Sequence, residues 1–580
     1  MRFLQRNRLV LLTGALFVFL SLAHLPDAVF PHGFDKNAPI QLAVLVAISS
    51  LMAVFIFVRR ERFAFELKPV LALYLLVAAL VLSSIFSGNF INSLTGETGR
   101  FTGVVSVFTL IIVALFHTQF SSDHFRKLIY LYLLGVVLIG FFGLLQHFKV
   151  MTFPGAAGVS STLGNPDFVA AMLGTSTPLF FYLALSADKV RRVILGVGLL
   201  INLFCLYFAG PLQAYVDIAI TLMGIALYLL RNRLARKELT LNVKTFLGTL
   251  GVIIWAEGIF LVPFIGKFIP VLGNDPQVEI RSQFWLAGTN QFFKEPVFGV
   301  GPDNYGNYYE QTRTLADAIK FQTIIANDAH SASVQTLATL GIFGTAAFIL
   351  LIAYLVRSFF ILDQNAFMPR KELYALALFV FVYLTNSFVS PITLPNKYLL
   401  WAAAGFVIGN AYRTYRQKRI NLVFPLVIAS VITSLFVTAN LIRAEINWLT
   451  HVEQYAADNA IRLDYVPSGY LPCNSYFDVE FLMTESRGSS AYVKLAQDRL
   501  ESNPRCPAAR ILLVNEMIQN KEYEAAKAQL EILLIHTPSR GEVLKSAMDV
   551  GAALKDVAFQ QKVFKQLTSL GLIYVPPAQP

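Results

Sequence analysis

Residues 40 to 58 read IQLAVLVAISSLMAVFIFV, an apolar stretch in which no side chain is charged. A helix of about 20 residues is long enough to cross the hydrocarbon core of a bilayer. The stretch therefore predicts a membrane-spanning helix. Apolar runs of similar length recur along the chain, at roughly 9 to 24, 40 to 58, 68 to 86, 102 to 118, 128 to 145, 167 to 186, 193 to 210, 213 to 230, 245 to 265, 332 to 356, 372 to 390, 398 to 412 and 420 to 442.

The composition of the whole chain agrees with this interpretation. Of 580 residues, 56% are hydrophobic and 14% are charged, and the mean hydropathy is +0.58. About a quarter of the residues of a typical soluble protein are charged. One very large soluble core is excluded because the apolar residues come in separate runs, each close to the length of a membrane span.

The charged residues between the runs predict the orientation of the chain. The first run follows a basic start, residues 1 to 8, without a small-residue cleavage site, so we expect a retained span that begins in the cytoplasm. Counting spans from there places the basic clusters on the cytoplasmic side, as the positive-inside rule requires. They lie at 59 to 62, 191 to 192, 231 to 237, 370 to 371 and 413 to 419. Because they supply much of the net charge of +11, we expect no nucleic-acid partner.

We therefore expect an all-α protein, a polytopic bundle of about 12 to 13 spans, with three regions. Residues 1 to 442 form the membrane domain, 266 to 331 form a long extracytoplasmic loop within it, and 443 to 580 form an extracytoplasmic helical domain. In the last region, residues 508 to 518 and 522 to 538 predict a tetratricopeptide-like helical hairpin. Such a domain usually offers a binding surface, here for a protein partner or for the membrane domain itself.

The three cysteines leave two interpretations open. Cys473 and Cys506 both fall on the outer side, where they form a disulfide if the compartment is oxidising, or remain unpaired and buried. Cys205 lies inside a predicted span, where we expect it to serve packing.

The long loop concentrates polar, aromatic and glycine residues. It ends in Asn-Asp-Ala-His330-Ser, which places an imidazole at the entrance of a span as a candidate proton acceptor or hydroxyl-positioning group. The alternative is an interfacial histidine with solvated nitrogens. Arg281 is a candidate phosphate ligand because guanidinium is a planar fork of donors, or else a residue that snorkels to the membrane surface. Gly299-Val-Gly301 lacks the rest of a dinucleotide-binding motif and predicts a tight turn.

Three further segments bring polar groups to the same side of the membrane. Asn165 lies in the turn 163 to 167 that precedes the sixth span, Gln146 ends the fifth span, and Arg100 precedes the fourth. An ordinary turn and helix start explain the first segment equally well. A helix bundle without a functional site does not need all three polar segments on one face, so we expect a site there.

These residues occur in an order that resembles the O-antigen ligase and polymerase superfamily. The similarity covers roughly residues 95 to 412, and it rests on the order of the motifs between spans. The motifs are Arg100 with Gly103, Gly143-Leu-Leu-Gln146, Leu163-Gly-Asn-Pro166, Arg281 with Trp285, Pro296-Val-Phe-Gly-Val-Gly301 and Ala329-His330 through Gly341-Ile-Phe-Gly344.

The resemblance implies a multi-span glycosyltransferase of the bacterial cytoplasmic membrane, working on its outer face. The donor would be a glycan carried by polyprenyl diphosphate in the membrane lipid, and the acceptor a hydroxyl of a glycan, lipid or protein. An acceptor hydroxyl would attack the anomeric carbon, and polyprenyl diphosphate would leave with inversion. The family needs no nucleotide sugar and is thought to need no metal ion, so no cofactor is expected.

The resemblance also assigns roles to single residues. His330 matches the functionally important histidine of the family and would activate or orient the acceptor hydroxyl. Arg281 matches an outer-loop arginine and would stabilise the leaving diphosphate, with Arg100 as a weaker candidate for the same clamp. The expected substrate-binding residues are Arg100, Arg313, Asn165, Gln146 and Asn304.

The sequence departs from the family pattern at two positions. Gln213 stands where the family often has a phosphate-binding arginine, and Ser331 follows His330 where an asparagine is usual. Either Arg100 or Arg313 compensates, or this member handles its donor differently or has reduced activity.

Several functions fit these observations. Ligase, repeat-unit polymerase and protein O-oligosaccharyltransferase differ only in the acceptor, and we expect ligase-like transfer. From other classes, a polysaccharide transporter or flippase predicts ionisable or broken-helix features at the membrane midplane, and a non-catalytic assembly protein fits the missing arginine.

Overall fold

The structure is a computed structural model, and it describes residues 2–23, 38–58, 67–97, 100–153, 158–234, 276–322, 324–413, 425, 427–440, 443 and 490–572. Within these ranges the chain is helical and contains no β-strand. The predicted span 245 to 265, the start of the long loop and Cys473 lie outside the described residues.

The described part of the membrane half of the chain is made mainly of helices. Its helices are α1 (Arg2–Leu22), α2 (Ala38–Val58), α3 (Leu67–Phe86), α4 (Phe90–Thr95), α5 (Val104–His117), α6 (Ser122–His147), α7 (Pro166–Ala184), α8 (Lys189–Ala209), α9 (Leu212–Leu234), α10 (Pro276–Lys294), α11 (Tyr305–Thr312), α12 (Leu315–Lys320), α13 (Ala332–Gln364), α14 (Arg370–Ser387) and α15 (Leu394–Tyr412), followed by α16 (Val427–Asn440).

Seven of the described helices are long and apolar enough to cross a membrane, namely α2, α3, α6, α7, α8, α9 and α13. Large apolar side chains on them, such as Leu51, Phe204 and Leu222, are more than half exposed, as lipid-facing positions require. These helices indicate a multi-pass membrane protein. The larger number of 12 to 13 spans stays a prediction.

The connections alternate between two ends of the bundle. At one end, Arg126 of α6 donates two hydrogen bonds to Glu372 of α14, at 2.9 and 3.0 Å, and Lys371 donates to the Leu185 carbonyl after α7. The other end, which we call the site end, gathers the segments 87 to 103, 158 to 167, 276 to 331 and 388 to 397. The sequence predicts the long loop and the segments of Arg100 and Asn165 on one side of the membrane, and the described parts of these segments lie at one end.

Small residues let some of these helices approach closely. A Cβ atom placed on Gly405 of α15 would lie 2.0 Å from the Ala114 carbonyl oxygen of α5. Only glycine allows this approach between two apolar helices, where packing rather than water exclusion drives association.

Helix α13 is broken at Gly341, which has φ +61° and ψ −159°. The stretch 296 to 301 docks into the break: the Val300 and Gly301 N–H groups donate to the Ala338 and Thr339 carbonyls at 2.9 and 3.0 Å, and the Ile342 N–H donates to the Pro296 carbonyl at 2.9 Å. The backbone groups released by the break are therefore satisfied, as a membrane environment demands. The Gly-Val-Gly stretch is a docking segment rather than a simple turn.

The C-terminal region described is a row of five helices, each packed against the next. They are α17 (Ser490–Ser502), α18 (Pro507–Gln519), α19 (Tyr523–His536), α20 (Gly541–Ala553) and α21 (Val557–Ser569). Their shared core includes Leu530, Val543 and Val563, and Ala318 of the long loop is part of it. The C-terminal domain thus docks on the loop. Its assignment to the tetratricopeptide type stays a prediction.

Cysteine chemistry differs between the two regions. Cys506, just before α18, is disulfide-bonded, whereas Cys205 is a free thiol buried inside α8, as the packing role predicts. Of the two interpretations for Cys506, the structure selects the bonded form, while its suggested partner Cys473 lies outside the described residues.

Candidate functional site

His330 lies at the site end, two residues before α13 begins, and its backbone is in the left-handed region with φ +52°. Its N–H donates to Oδ1 of Asp328 at 2.6 Å, and its Nδ1 lies 3.0 Å from the Asp328 carbonyl oxygen. A carbonyl oxygen only accepts, so Nδ1 carries the proton and Nε2 keeps its lone pair. The geometry therefore fixes one tautomer and leaves Nε2 as a hydrogen-bond acceptor.

Arg100 lies beside the same carboxylate, with its Nη1 atom 3.4 Å from Oδ1 of Asp328, and both side chains are nearly buried. Burial by itself would raise the pKa of Asp328, but the charge of Arg100, the His330 N–H and the charge of Lys397 bring it below its usual value. Asp328 is accordingly a carboxylate that joins Arg100 to the backbone of His330.

The same surroundings keep the imidazole neutral. Burial first, and then the positive charges of Arg100 and Arg281, lower the pKa of His330 to about 4 against the opposing effect of Asp328. The side chain is nevertheless 22% exposed, so a small polar group can reach it. At pH 7 the ring is an uncharged acceptor on which the charges of two arginines act.

Arg281 is positioned from a different part of the chain. Its Nη2 atom lies 3.7 Å from Oδ2 of Asp167. Asn165 accepts the Asp167 N–H at 2.8 Å as the N-cap of α7, and Gln213 donates to the Asp167 carbonyl at 2.9 Å. The turn 163 to 167 therefore orients the partner of Arg281, and Gln213 supports that turn.

A cleft of about 220 Å³ opens beside this cluster, between α3, α5, α13, α14 and α15. Its polar end is lined by Asp303, Asp328, Ser331, Gln335 and Lys397, and its deeper wall by apolar side chains that include Leu76, Leu80, Leu110, Leu340 and Trp401. His330 is flanked in sequence by two of the polar lining residues. The cleft thus has a charged end at the histidine and an apolar interior.

The apolar interior continues into a groove between α3, α5, α13 and α15. Four side chains line both spaces: Phe348, Leu384, Leu400 and Trp401. The groove then runs past Leu73, Ile111, Leu115, Leu355, Ile408 and Tyr412. Because Thr118 and Tyr412 lie at the end of the bundle opposite the site, the combined path follows the long direction of the membrane helices.

The structure places Asn304 beneath the site rather than in the cleft. It is fully buried; its Oδ1 accepts from Asn92 at 2.8 Å and Asn307 at 3.0 Å, and its Nδ2 donates to Ser93 at 2.8 Å. The preceding residue, Asp303, lines the cleft and accepts from Thr102 and from the Glu97 N–H. These bonds tie the long loop to the segment that carries Arg100.

Gln146 and Arg313 are also engaged elsewhere. Gln146 accepts the N–H groups of Ser160 and Ser161 at 2.9 and 2.7 Å, which holds the loop before α7. Arg313 donates to Oγ of Ser539 at 2.7 Å, so it joins the long loop to the C-terminal domain. Substrate binding by these two residues and by Asn304 stays a prediction, and their visible contacts are structural.

Sequence reasoning missed three charged residues of the cleft, namely Asp303, Asp328 and Lys397. Asp328 stands two residues before His330, and that spacing was a usable signal for a residue that fixes the ring. Lys397 begins an apolar run, where a lysine is ordinarily a snorkelling residue. Only the packing of α15 against the long loop distinguishes it.

We compared the chain with protein-family models and with the sequences of curated proteins, and neither comparison gives a match.

Proposed function

We propose that the chain is a glycosyltransferase that moves a polyprenyl-diphosphate-linked glycan onto an acceptor hydroxyl at the outer face of the bacterial cytoplasmic membrane. One observation carries the proposal: a neutral histidine of fixed tautomer, on which the charges of two arginines act, lies next to the charged end of a cleft that becomes an apolar groove. A lipid diphosphate has the same two parts, an anionic head and an apolar chain. The motif order that resembles the O-antigen ligase superfamily supports the same assignment.

The donor would bind with its head group near Arg100 and Arg281 and its chain in the groove lined by Leu73, Ile111 and Leu355. Guanidinium groups bind phosphate oxygens in pairs of parallel hydrogen bonds. Both arginines now face carboxylates at 3.4 and 3.7 Å, distances that leave room for them to turn toward a phosphate.

The transfer step follows from this placement. The acceptor oxygen bonds to the anomeric carbon while its proton passes to Nε2 of His330, and the bond from that carbon to the diphosphate oxygen breaks. The electron pair leaves with polyprenyl diphosphate, whose growing charge the arginines stabilise. The proton on His330 then returns to solvent. Attack opposite the leaving group inverts the anomeric configuration.

Donor binding would also make His330 a better base. In the free protein the charges of Arg100 and Arg281 oppose protonation of the ring and help to lower its pKa to about 4. A bound diphosphate offsets both charges and so raises that pKa toward neutrality. Proton transfer would then be effective only when the donor is present.

The docked C-terminal domain favours an acceptor outside the membrane. Arg540 forms an ion pair with Glu310 of the long loop, and Arg505 stacks on Tyr308 with 3.7 Å between its Cζ atom and the ring centre. We propose that this domain is of the tetratricopeptide type and extracytoplasmic; the disulfide at Cys506 supports an oxidising compartment. Its position beside the site supports ligase-like transfer to a large acceptor, with a polymerase or a protein O-oligosaccharyltransferase as alternatives.

A transporter is the strongest candidate of another class because α13 is a broken helix. The break is not central, however: residues 342 to 364 follow it, and 23 helical residues span about 35 Å. That length is enough for a complete membrane crossing. The break therefore lies at the site end of the span, where it anchors the long loop.

The experiment that tests the proposal supplies purified full-length protein in lipid with a polyprenyl-diphosphate-linked glycan and separate candidate acceptors. We expect glycan transfer and release of polyprenyl diphosphate. A single glycan added to a lipid or protein acceptor identifies a ligase or an oligosaccharyltransferase, and a ladder of longer lipid-linked glycans identifies a polymerase. Transport of the donor across the bilayer without any new glycosidic bond would refute the proposal.

A further inference from the structure

Lys397 lines the cleft, and among the described residues its head group has no ion-pair partner, unlike those of Arg100 and Arg281 nearby. It lies in the first turn of α15 and lines the cleft together with Asp303 and Asp328. Among the residues that the structure describes, its ammonium group makes no hydrogen bond and no ion pair, and only the longer-range charges of Asp303, Asp328 and Arg100 act on it. Arg100 and Arg281, in contrast, each face a carboxylate.

The two nearby carboxylates explain why the lysine stays unpaired. Asp303 accepts from the Thr102 hydroxyl at 2.7 Å and from two backbone N–H groups at 2.7 and 3.0 Å. Asp328 accepts the His330 N–H at 2.6 Å and faces Arg100. Both oxygens of Asp303 and Oδ1 of Asp328 therefore already face other donors, and neither carboxylate forms an ion pair with Lys397.

An unpaired ammonium group in a partly enclosed cleft loses part of its hydration without gaining a partner, which is unfavourable for folding. Its place on the helix adds to the cost, because the positive end of the α15 dipole lies in the same turn, after Pro395 at the helix start. The same two features together make a strong site for an anion. Residues that weaken the fold in this way are typical of functional sites.

Lys397 also decides the charge balance of the site. Arg100 and Arg281 each face a carboxylate, Asp328 and Asp167, whereas Lys397 adds a positive charge to the cleft without an ion-pair partner among the described residues. Replacement of Lys397 by a neutral residue removes that charge and weakens the attraction for a diphosphate. Gln213, at the position of the missing family arginine, is neutral and donates only to the Asp167 carbonyl.

We infer that Lys397 is the head-group anchor of the cleft, and that it binds the phosphate oxygens of a lipid diphosphate in place of the arginine absent at position 213. The inference rests on the proposed function for the identity of the lipid. The chain of the lipid follows the apolar groove that begins at Phe348 and Trp401. The head group lies between Lys397 and the His330 segment.

Binding measurements on the full-length protein in lipid nanodiscs test the anchor, with three probes: polyprenyl diphosphate, the uncharged polyprenol of the same length, and inorganic diphosphate. The variants are Lys397→Gln and Lys397→Arg, with Lys294→Gln as a matched control in the long loop, where the lysine donates to the Gln311 carbonyl. We expect Lys397→Gln to weaken polyprenyl diphosphate binding by about tenfold or more. Polyprenol binding and the control should stay unchanged, and Lys397→Arg should retain most of the affinity.

The stability of the variant separates an anchor from a structural residue. Removal of an unpaired charge should leave the unfolding temperature of Lys397→Gln equal to or above that of the wild type. A lower unfolding temperature together with weaker polyprenol binding would identify a folding role and overturn the inference. Inorganic diphosphate that binds as tightly as the lipid would overturn the lipid assignment.

The outcomes also separate the anchor from the proposed function. If Lys397→Gln binds polyprenyl diphosphate as well as the wild type and still transfers glycan, the anchor is wrong and the function stands. If binding depends on Lys397 but the wild type transfers no glycan to any acceptor, the anchor stands and the function is wrong. A wild-type protein that does not bind polyprenyl diphosphate would overturn both.

Discussion

Replacement of Gly341 by alanine should damage the junction between the long loop and the membrane domain. The added Cβ atom would lie 2.4 Å from the Val297 carbonyl oxygen and 2.7 Å from the Gly299 nitrogen, both of them backbone atoms that cannot turn away. The φ of +61° and ψ of −159° are almost exclusive to glycine, and strain of this kind costs about 1–3 kcal/mol.

Relief of the contact would also stretch the three backbone hydrogen bonds that seal the break in α13, at 2.9, 2.9 and 3.0 Å. Each contributes about 1 kcal/mol net, so the substitution should cost about 4 to 6 kcal/mol in the free energy of unfolding. With an unfolding entropy of about 2.1 cal/mol/K per residue, a 580-residue chain that unfolds as one unit would lose about 3 to 5 °C in its unfolding midpoint.

The assay is thermal unfolding of purified protein in detergent, followed by intrinsic fluorescence, with Gly196→Ala as the matched control. Gly196 lies inside α8, and a Cβ atom there would meet nothing within 4 Å. In an exposed helix interior, alanine is favoured over glycine, so the control should unfold at the same temperature or a higher one. An unchanged midpoint for Gly341→Ala, or an equal loss for Gly196→Ala, would refute the reasoning.

Three further outcomes follow from the contacts of single residues. The pKa of histidine is about 6.5 in the unfolded state and that of His330 is about 4 in the folded state. The unfolded state therefore binds more protons between these values, and the stability of the wild type should fall as pH drops from 6.5 to 4. The unfolding midpoint of His330→Gln, measured at pH 7.5 and pH 5, should lack the part of this decrease that comes from His330, and a pH dependence identical to that of the wild type would contradict the lowered pKa. Arg313→Ala removes the bond to Ser539 and should speed protease cleavage between the long loop and the C-terminal domain, whereas an unchanged cleavage rate would show that the joint does not depend on Arg313. Gln146→Leu removes the acceptor of the Ser160 and Ser161 N–H groups and should lower the free energy of unfolding by about 1–3 kcal/mol. Binding of polyprenyl diphosphate should stay unchanged. Weaker binding at unchanged stability would instead support the predicted role of Gln146 in substrate binding.

The membrane helices could be read from the sequence because a span needs an apolar run of a set length, and that requirement is local. Their ends were less accurate. The predicted span 332 to 356 corresponds to Ala332–Gln364, since hydropathy marks where hydrocarbon ends and a helix continues through Arg357 into water. The break at Gly341 was not predicted, because it depends on backbone contacts with a loop some 40 residues earlier in the chain.

The sequence predicted which end of the bundle holds the candidate site, but not which side chains contact one another there. Counting spans placed Arg100, Asn165, Arg281 and His330 on one face, and the structure brings their segments together at one end. The pairing of each arginine with its carboxylate depends on side-chain packing between distant segments, and no sequence pattern encodes it. The unpaired state of Lys397 depends on the same packing.

The remaining predicted residues show a common source of error. A polar side chain near a predicted site serves the fold as often as the ligand, because buried polar groups must find hydrogen-bond partners. Asn304 is a buried link between the long loop and the segment that holds Asn92 and Ser93, and Arg313 is a buried link to the C-terminal domain. Sequence alone did not distinguish these roles from substrate binding.

The central claim is that Nε2 of His330 accepts the proton of the acceptor hydroxyl in glycan transfer. The most direct measurement is the initial rate of transfer from a polyprenyl-diphosphate-linked glycan by His330→Gln, compared with the wild type and with His147→Gln, a histidine at the same end of the bundle that stacks on Phe208. We predict a loss of about 10²- to 10⁴-fold for His330→Gln, with expression and unfolding temperature retained at neutral pH and with His147→Gln close to the wild type. Transfer by His330→Gln at the wild-type rate would contradict the account.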